Sequence, residues 1–107
     1  MSISDADAAF ALELFAGVGP LSTRKMMGGL CLYAEETIFA IVHGDGTIMI
    51  KGAGAFQAEL QAEGLKRWTY ARDGGKKTAM PYWALPDAAL DDPDLACDWA
   101  RRALAHL

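Results

Sequence analysis

Apolar and polar residues repeat along this chain with two different periods, which divide it into helical and strand-like segments. Near the start, apolar residues recur every three to four positions, as on one face of a helix. This stripe consists of Ile3, Ala6, Phe10 and Leu14. Ser4 can cap the helix at its start, while Gly17 and Gly19-Pro20 end it. The pattern predicts a helix over residues 4–16.

From Thr23 to Gly52 the period changes to two, which is typical of strands. We expect three antiparallel strands at about 24–34, 37–43 and 47–52. The Gly28-Gly29 pair in the first indicates a bulge, a sharp bend or a close approach of another backbone, and we favour the bulge. One face carries Leu30, Leu32, Ile38, Ala40, Val42, Ile48 and Ile50, and the other carries Tyr33, Phe39, Ile41 and Met49. Apolar residues on both faces indicate that part of the second face meets a partner.

The remainder of the chain predicts a helix at about 54–63, a hairpin of two strands and a final helix. The hairpin strands are 67–71 and 76–82, and Asp92-Pro93 has the residue types of a helix start. The inward stripe of the last helix is Leu95, Trp99, Ala103 and Leu107. The fold class is therefore α+β: one two-layer domain over 1–107, in the order α-β-β-β-α-β-β-α, with an antiparallel sheet packed against helices.

Size and composition place the chain among ordinary globular domains. Its 107 residues suffice for one core, and 52% hydrophobic with 22% charged residues excludes disorder. The N-terminus lacks the features of a signal peptide, and no apolar run is long enough to span a bilayer, so we expect a cytoplasmic protein. Two cysteines, Cys31 and Cys97, are expected to be buried and unpaired.

Catalytic and metal-binding patterns are weak. The two histidines, His43 and His106, have no other ligand at metal-binding spacing, so we predict no metal, no cofactor and no enzymatic activity. A pocket near Cys31 and His43, holding a small ligand or a nucleophile with its base, is the third and last hypothesis.

A basic stretch is the feature that indicates nucleic-acid binding. Arg67, Arg72, Lys76 and Lys77 are interleaved with aromatic residues on the predicted hairpin. The net charge of −4 argues against a general grip on phosphates, and an exposed hairpin made soluble by charge explains the same residues. Direct nucleic-acid contact through these four residues remains the second hypothesis.

The order and spacing of several short motifs resemble the N-terminal domain of the TfoX/Sxy competence regulators of bacteria. The first is Thr23-Arg24-Lys25-Met26-Met27-Gly28-Gly29, and the others lie at 32–33, 39–42, 48–51, 68–70, 82–86, 92–95 and 99–103. The sequence departs from the family pattern at Met27, Cys31 and Glu36, where an aromatic residue, a Gly and a Gly are usual. The resemblance covers nearly the whole length.

This resemblance implies an α+β domain, often dimeric, in proteins linked to transcriptional control of DNA uptake. Fuller members carry a second domain that resembles helix–hairpin–helix modules, which we expect to be missing after Leu107. The first hypothesis is thus a non-enzymatic interaction domain that acts as a homodimer or as an adaptor for a transcription regulator. The residues expected to contact partners are Arg24, Met26, Met27, Tyr33 and Phe39.

Overall fold

The protein folds into a six-stranded antiparallel sheet with its helices on one side, in a computed structural model that describes residues 3–26, 28–71 and 74–107. The elements are α1 (Asp5–Leu14), β1 (Leu21–Met26), β2 (Gly29–Ala34), β3 (Thr37–Val42), β4 (Ile48–Lys51), α2 (Phe56–Ala62), β5 (Arg67–Ala71), β6 (Lys77–Ala84), α3 (Asp87–Leu90) and α4 (Pro93–Leu104). The strand order is β1-β2-β3-β4-β6-β5. The predicted α+β fold class is confirmed.

The capping residues that the sequence predicted begin the two longest helices. The Ser4 hydroxyl accepts a hydrogen bond from the Asp7 backbone N–H at 3.0 Å, and α1 starts at the next residue, Asp5. The Asp92 carboxylate accepts from the backbone N–H groups of Asp94 and Leu95, with Pro93 as the first helical residue of α4. Both side chains satisfy N–H groups that have no partner within the helix.

The Gly28-Gly29 pair separates two strands, so the single strand predicted over 24–34 is wrong. Gly28 has a φ of 81°, the left-handed region that glycine favours, and it lies in the turn between β1 and β2. Gly29 begins β2, where a Cβ atom would lie 2.5 Å from the Val42 carbonyl oxygen on β3. The pair thus serves a tight turn and a close approach of two backbones, which were two of the predicted alternatives, and the favoured bulge is wrong.

The hydrophobic core fills the space between the sheet and the helices. Helices α1 and α4 pack over β3, and α4 also packs over β4. The largest fully buried side chains are Trp83, Phe15, Phe39, Phe56, Leu32, Ile50, Leu60 and Val42. Phe15 and Phe39 meet edge to face with ring centroids 5.3 Å apart, which joins the end of α1 to the sheet.

Four side chains lie on the side opposite to the prediction: Phe10, Leu107, Phe39 and Ile38. Phe10 is 46% exposed and Leu107 is 41% exposed, although both were placed in inward helix stripes. Phe39 is 0% exposed, so its prediction as a partner-contact residue is wrong. The cause is a bulge: Leu32 pairs with Ala40 but Tyr33 pairs with Ile38, which leaves Phe39 as the extra residue on β3. This shift turns Phe39 into the core and Ile38 to the other face.

Truncation of two phenylalanines tests this placement. We expect Phe39→Ala to lower the free energy of unfolding by about 3–5 kcal/mol, because it removes a fully buried ring. Phe10→Ala should lower it far less, by about 1 kcal/mol or less, since nearly half of this side chain is already exposed to solvent. Urea denaturation followed by circular dichroism measures both values. Equal losses in the two variants would contradict the assigned orientations.

Candidate protein-contact surface

The face of the sheet that points away from the helices is apolar and curved, and we call it the concave face. Alternate residues of the strands place their side chains on it, and most of these are apolar; they include Arg24, Met26, Cys31, Tyr33, Ile38, Ile41, Met49, Lys51, Trp68, Tyr70, Met80 and Tyr82. Trp68 on β5 touches His43 at the end of β3, with ring centroids 4.5 Å apart. Because β4 and β6 separate these strands in the sheet, the contact requires the sheet to curl strongly.

A cavity of about 300 Å³ lies in this curl. Its walls include Cys31, Ile41, His43, Trp68, Met80 and Tyr82, so strands β2, β3, β5 and β6 all contribute. The volume is at the lower end of the range for small-molecule sites and suits one or two apolar side chains of a protein partner. Met26 stands at the same cavity and is 50% exposed.

Aromatic rings form one wall of the cavity. The Trp68 ring lies 6.2 Å from Tyr82 and 6.2 Å from Tyr70, in tilted contacts. This packing covers Tyr82, which is buried although it has no helix above it. On the opposite side, His43 Nε2 lies 3.2 Å from Met49 Sδ. The wall is therefore held by side-chain packing within β5 and between neighbouring strands, and the Trp68–His43 contact adds a link between strands that are not neighbours.

Burial raises the pKa values of two ionisable groups at the cavity, the Cys31 thiol and the Tyr82 hydroxyl. Burial raises the pKa of the Cys31 thiol, and the nearby Arg24 charge opposes this rise only in part. Burial likewise raises the pKa of Tyr82 to about 12, with smaller contributions from Cys31 and Tyr33. A nucleophilic cysteine needs a lowered pKa. Cys31 thus has the properties of a buried hydrophobic residue, and Tyr82 those of a hydroxyl that keeps its proton.

Three of the five predicted contact residues lie together on the concave face. Arg24 and Cys31 are register partners, and the Arg24 guanidinium stands 5.9 Å from the centroid of the Tyr33 ring. Met26 follows two residues later on the same face. Met27 lies outside the described residues, and Phe39 belongs to the core. The structure thus joins Arg24, Met26 and Tyr33 into one surface beside the cavity.

The sequence did not indicate that side chains of β5 and β6 belong to this surface. Trp68, Met80 and Tyr82 were assigned to a separate hairpin, because nothing in their spacing shows that β6 pairs with β4. One signal was present: Trp68 and Tyr70, like Met80 and Tyr82, stand two residues apart, which puts each pair on one face of a strand. The hypothesis of a pocket near Cys31 and His43 had the correct location, since both line the cavity.

The predicted basic surface is only partly free. Arg67 Nε donates a hydrogen bond to the Met80 carbonyl oxygen at 2.9 Å, and its guanidinium lies 4.5 Å from the Trp83 ring centroid. Arg67 therefore supports the β5–β6 hairpin. Lys76 and Lys77 are exposed near the tip of the hairpin, and Arg72 lies outside the described residues.

Metal-binding clusters are absent from the part of the chain that the structure describes. Among residues 3–26, 28–71 and 74–107, no three His, Cys, Asp or Glu side chains converge as a metal site would require. The same residues contain no helix long and apolar enough to cross a membrane. Cys97 is buried in the helix layer, where its Sγ donates to the Leu14 carbonyl oxygen at 3.6 Å.

The fold and the motif order agree with the family comparison. A family model described as the TfoX N-terminal domain matches residues 13–107. The chain belongs to this family, which is associated with the regulation of competence. A comparison with curated proteins gave no significant match.

The protonated state of Tyr82 predicts a pH dependence of stability. Its pKa of about 12 in the folded chain exceeds the ordinary value of 10, so folding favours the protonated form. The stabilisation is complete below pH 10 and is lost as the pH rises towards 12. We expect Tyr82→Phe to lose less stability than the parent chain over this range in denaturant titrations. If the stability of both proteins fell equally over this pH range, Tyr82 would not be the group that causes the pH dependence.

Proposed function

We propose that this chain is a non-enzymatic interaction domain that regulates by protein–protein contacts, with the concave face as its contact surface. The partner is a protein segment that inserts a large apolar side chain into the cavity, and a transcription regulator is the class of partner we favour. The domain also acts as a homodimer in this proposal. Membership of a family associated with competence regulation supports the regulatory role.

The observation that carries the proposal is an apolar surface that the chain's own helices leave uncovered. Met26 at 50% and Tyr70 at 43% exposure extend this surface beyond the cavity itself. Methionine adapts its shape to different partners, and aromatic rings supply much of the contact energy at protein interfaces. Met26, Met49 and Met80 all belong to the concave face, as do Trp68, Tyr70 and Tyr82.

Charge at the edge of the cavity favours an acidic segment as the partner. Arg24 is the register partner of Cys31, which lines the cavity, and this places the cation close to the cavity. Asp45 follows Gly44, which lines the cavity, and its carboxylate accepts a hydrogen bond from the Thr47 backbone N–H at 3.0 Å. Arg24 remains available to a carboxylate because its contact with Tyr33 is through the ring.

The other two hypotheses have less support. Nucleic-acid binding would depend on Lys76 and Lys77 within the described hairpin, because Arg67 is engaged internally. Catalysis through Cys31 would need a thiolate, whereas burial raises the pKa of this thiol. A small apolar ligand fits the cavity by volume, and it is an alternative outcome of the experiment below.

Selection from a random peptide library tests the proposed contact. We expect enriched peptides to share an aromatic or large aliphatic residue and to carry acidic neighbours. Met80→Glu should weaken their binding roughly tenfold or more, since it places a charge against the apolar anchor. Phe10→Glu is the matched control, because it adds the same charge to an exposed apolar residue on α1 and should leave the affinity unchanged.

Three results would contradict the proposal. They are a selection that yields no binding peptides, peptides that bind Met80→Glu as well as the parent chain, and peptides whose affinity falls with Phe10→Glu. Affinity for single-stranded DNA that falls steeply with added salt would favour the nucleic-acid hypothesis instead. The small-ligand alternative would be favoured if the parent chain bound small aromatic probes but no peptides, and if Met80→Glu no longer bound these probes.

A further inference from the structure

Strand β1 forms one edge of the sheet, and its outer backbone groups are free of strand partners within the described chain. β1 pairs with β2 through six consecutive residue pairs, from Leu21 with Ala34 to Met26 with Gly29. Only two residues separate Met26 from Gly29, so this closing pair exchanges backbone hydrogen bonds. Hydrogen bonding alternates along a strand, and the backbone groups of Leu21, Thr23 and Lys25 therefore face outward.

The two edges of the sheet differ in their fitness for further pairing. At the β5 edge, the register with β6 shifts between Arg67 and Thr69, which marks an irregularity that blunts an edge. The β1 edge has an uninterrupted register and no proline over Leu21–Met26. The helices pack over β3 and β4, two and three strands inward from this edge, so they leave β1 accessible.

The turn that connects β2 to β3 carries two acidic residues in a strained conformation. Glu35 and Glu36 have φ angles of 48° and 68°. A two-residue hairpin turn with two positive φ values normally uses Asn-Gly, because other side chains are strained there. The two-residue hairpin requires these φ angles but does not require glutamate, so the residue choice is a reason to look for a function of the two side chains. This turn follows Ala34, the register partner of Leu21, and so lies beside the first residue of β1.

We propose that a second copy of this chain pairs antiparallel with β1 along the outer edge, about a two-fold axis at Thr23. Two sheets then join into one continuous sheet of twelve strands. The inference deepens the homodimer of the proposed function and rests on it, but it uses the edge of the sheet instead of the concave cavity. Main-chain hydrogen bonds from Leu21, Thr23 and Lys25 supply the contact.

This pairing opposes no like charges and brings an acidic turn of each copy near the basic residues of the other. Thr23 stands opposite the partner's Thr23, so Ser22 faces the partner's Arg24 and Leu21 faces the partner's Lys25. No two like charges are directly opposed along the strands. The Glu35-Glu36 turn of each copy lies about 10 Å, or two strand spacings, from the basic end of the other β1, a distance that long side chains bridge. Arg24 and Lys25 thus discourage pairing with unrelated strands and favour a copy that brings this acidic turn.

Opposite charges at the two-fold axis provide the test. We expect the parent chain to sediment as a dimer at tens of micromolar. Thr23→Lys and Thr23→Glu should each raise the dimer dissociation constant at least tenfold, because identical charges then face each other. An equimolar mixture of the two variants should recover the dimer, as a heterodimer that native mass spectrometry identifies by its mass.

The control repeats both substitutions at Ala9, an exposed residue on α1, where neither should affect the mass in solution. A monomeric parent chain, or a mixture of Thr23 variants that stays monomeric, would overturn the proposal. Peptide binding by Thr23→Lys separates the two proposals: a monomer that still binds peptides supports both, whereas a variant that stays dimeric and still binds peptides overturns only the edge pairing.

The acidic turn gives a second and independent expectation. Glu35→Asn combined with Glu36→Gly supplies the residues that this turn normally uses, so the melting temperature of the monomeric Thr23→Lys background should rise. In the parent background, the same double change should weaken the dimer severalfold, since the partner's basic residues lose their acidic counterpart. A variant with an unchanged or tighter dimer would show that the turn has no part in self-association.

Discussion

The structure depends on one constraint: its helices cover only one face of a six-stranded sheet. The other face carries apolar residues that must reduce their contact with water by some other means. Curling of the sheet does this, because it brings Trp68 over Tyr82 and against His43. The curl leaves a cavity that no side chain of the described residues fills. The candidate contact surface is therefore a consequence of how the sheet buries its uncovered face.

Local patterns in the sequence were sufficient for the elements but not for their orientation. Ser4 and Asp92-Pro93 located two helix starts, because capping depends only on adjacent residues. Phe39 could not be placed by alternation, since a single bulge between Leu32 and Tyr33 reverses the face of every residue before it on β3. The prediction that Phe10 faces the core was wrong because the buried residues of α1 are Ala11 and Leu14. An alanine is hard to recognise as a core residue in a pattern of large apolar residues.

Only the part of the candidate site that lies on β1 and β2 could be predicted from the sequence. Arg24, Met26 and Tyr33 are close in sequence through the β1–β2 hairpin, and so their grouping follows from local pairing. The part of the site on β5 and β6 exists because β6 pairs with β4. This pairing joins Met49 to Ala84, which are more than thirty residues apart in the sequence. Spacing within either strand contains no information about such a contact. The importance of Trp68 and Met80 therefore emerged only from the three-dimensional arrangement.

The positions of the two cysteines have a further consequence. Cys31 lies on the concave face and Cys97 lies in the helix layer, so the sheet stands between two buried thiols. A cross-link between them would require the strands to part, and the native arrangement contains none. Oxidising and reducing surroundings should thus support the same fold. Such a domain can keep its shape wherever its partners are found, without help from the redox state of the compartment.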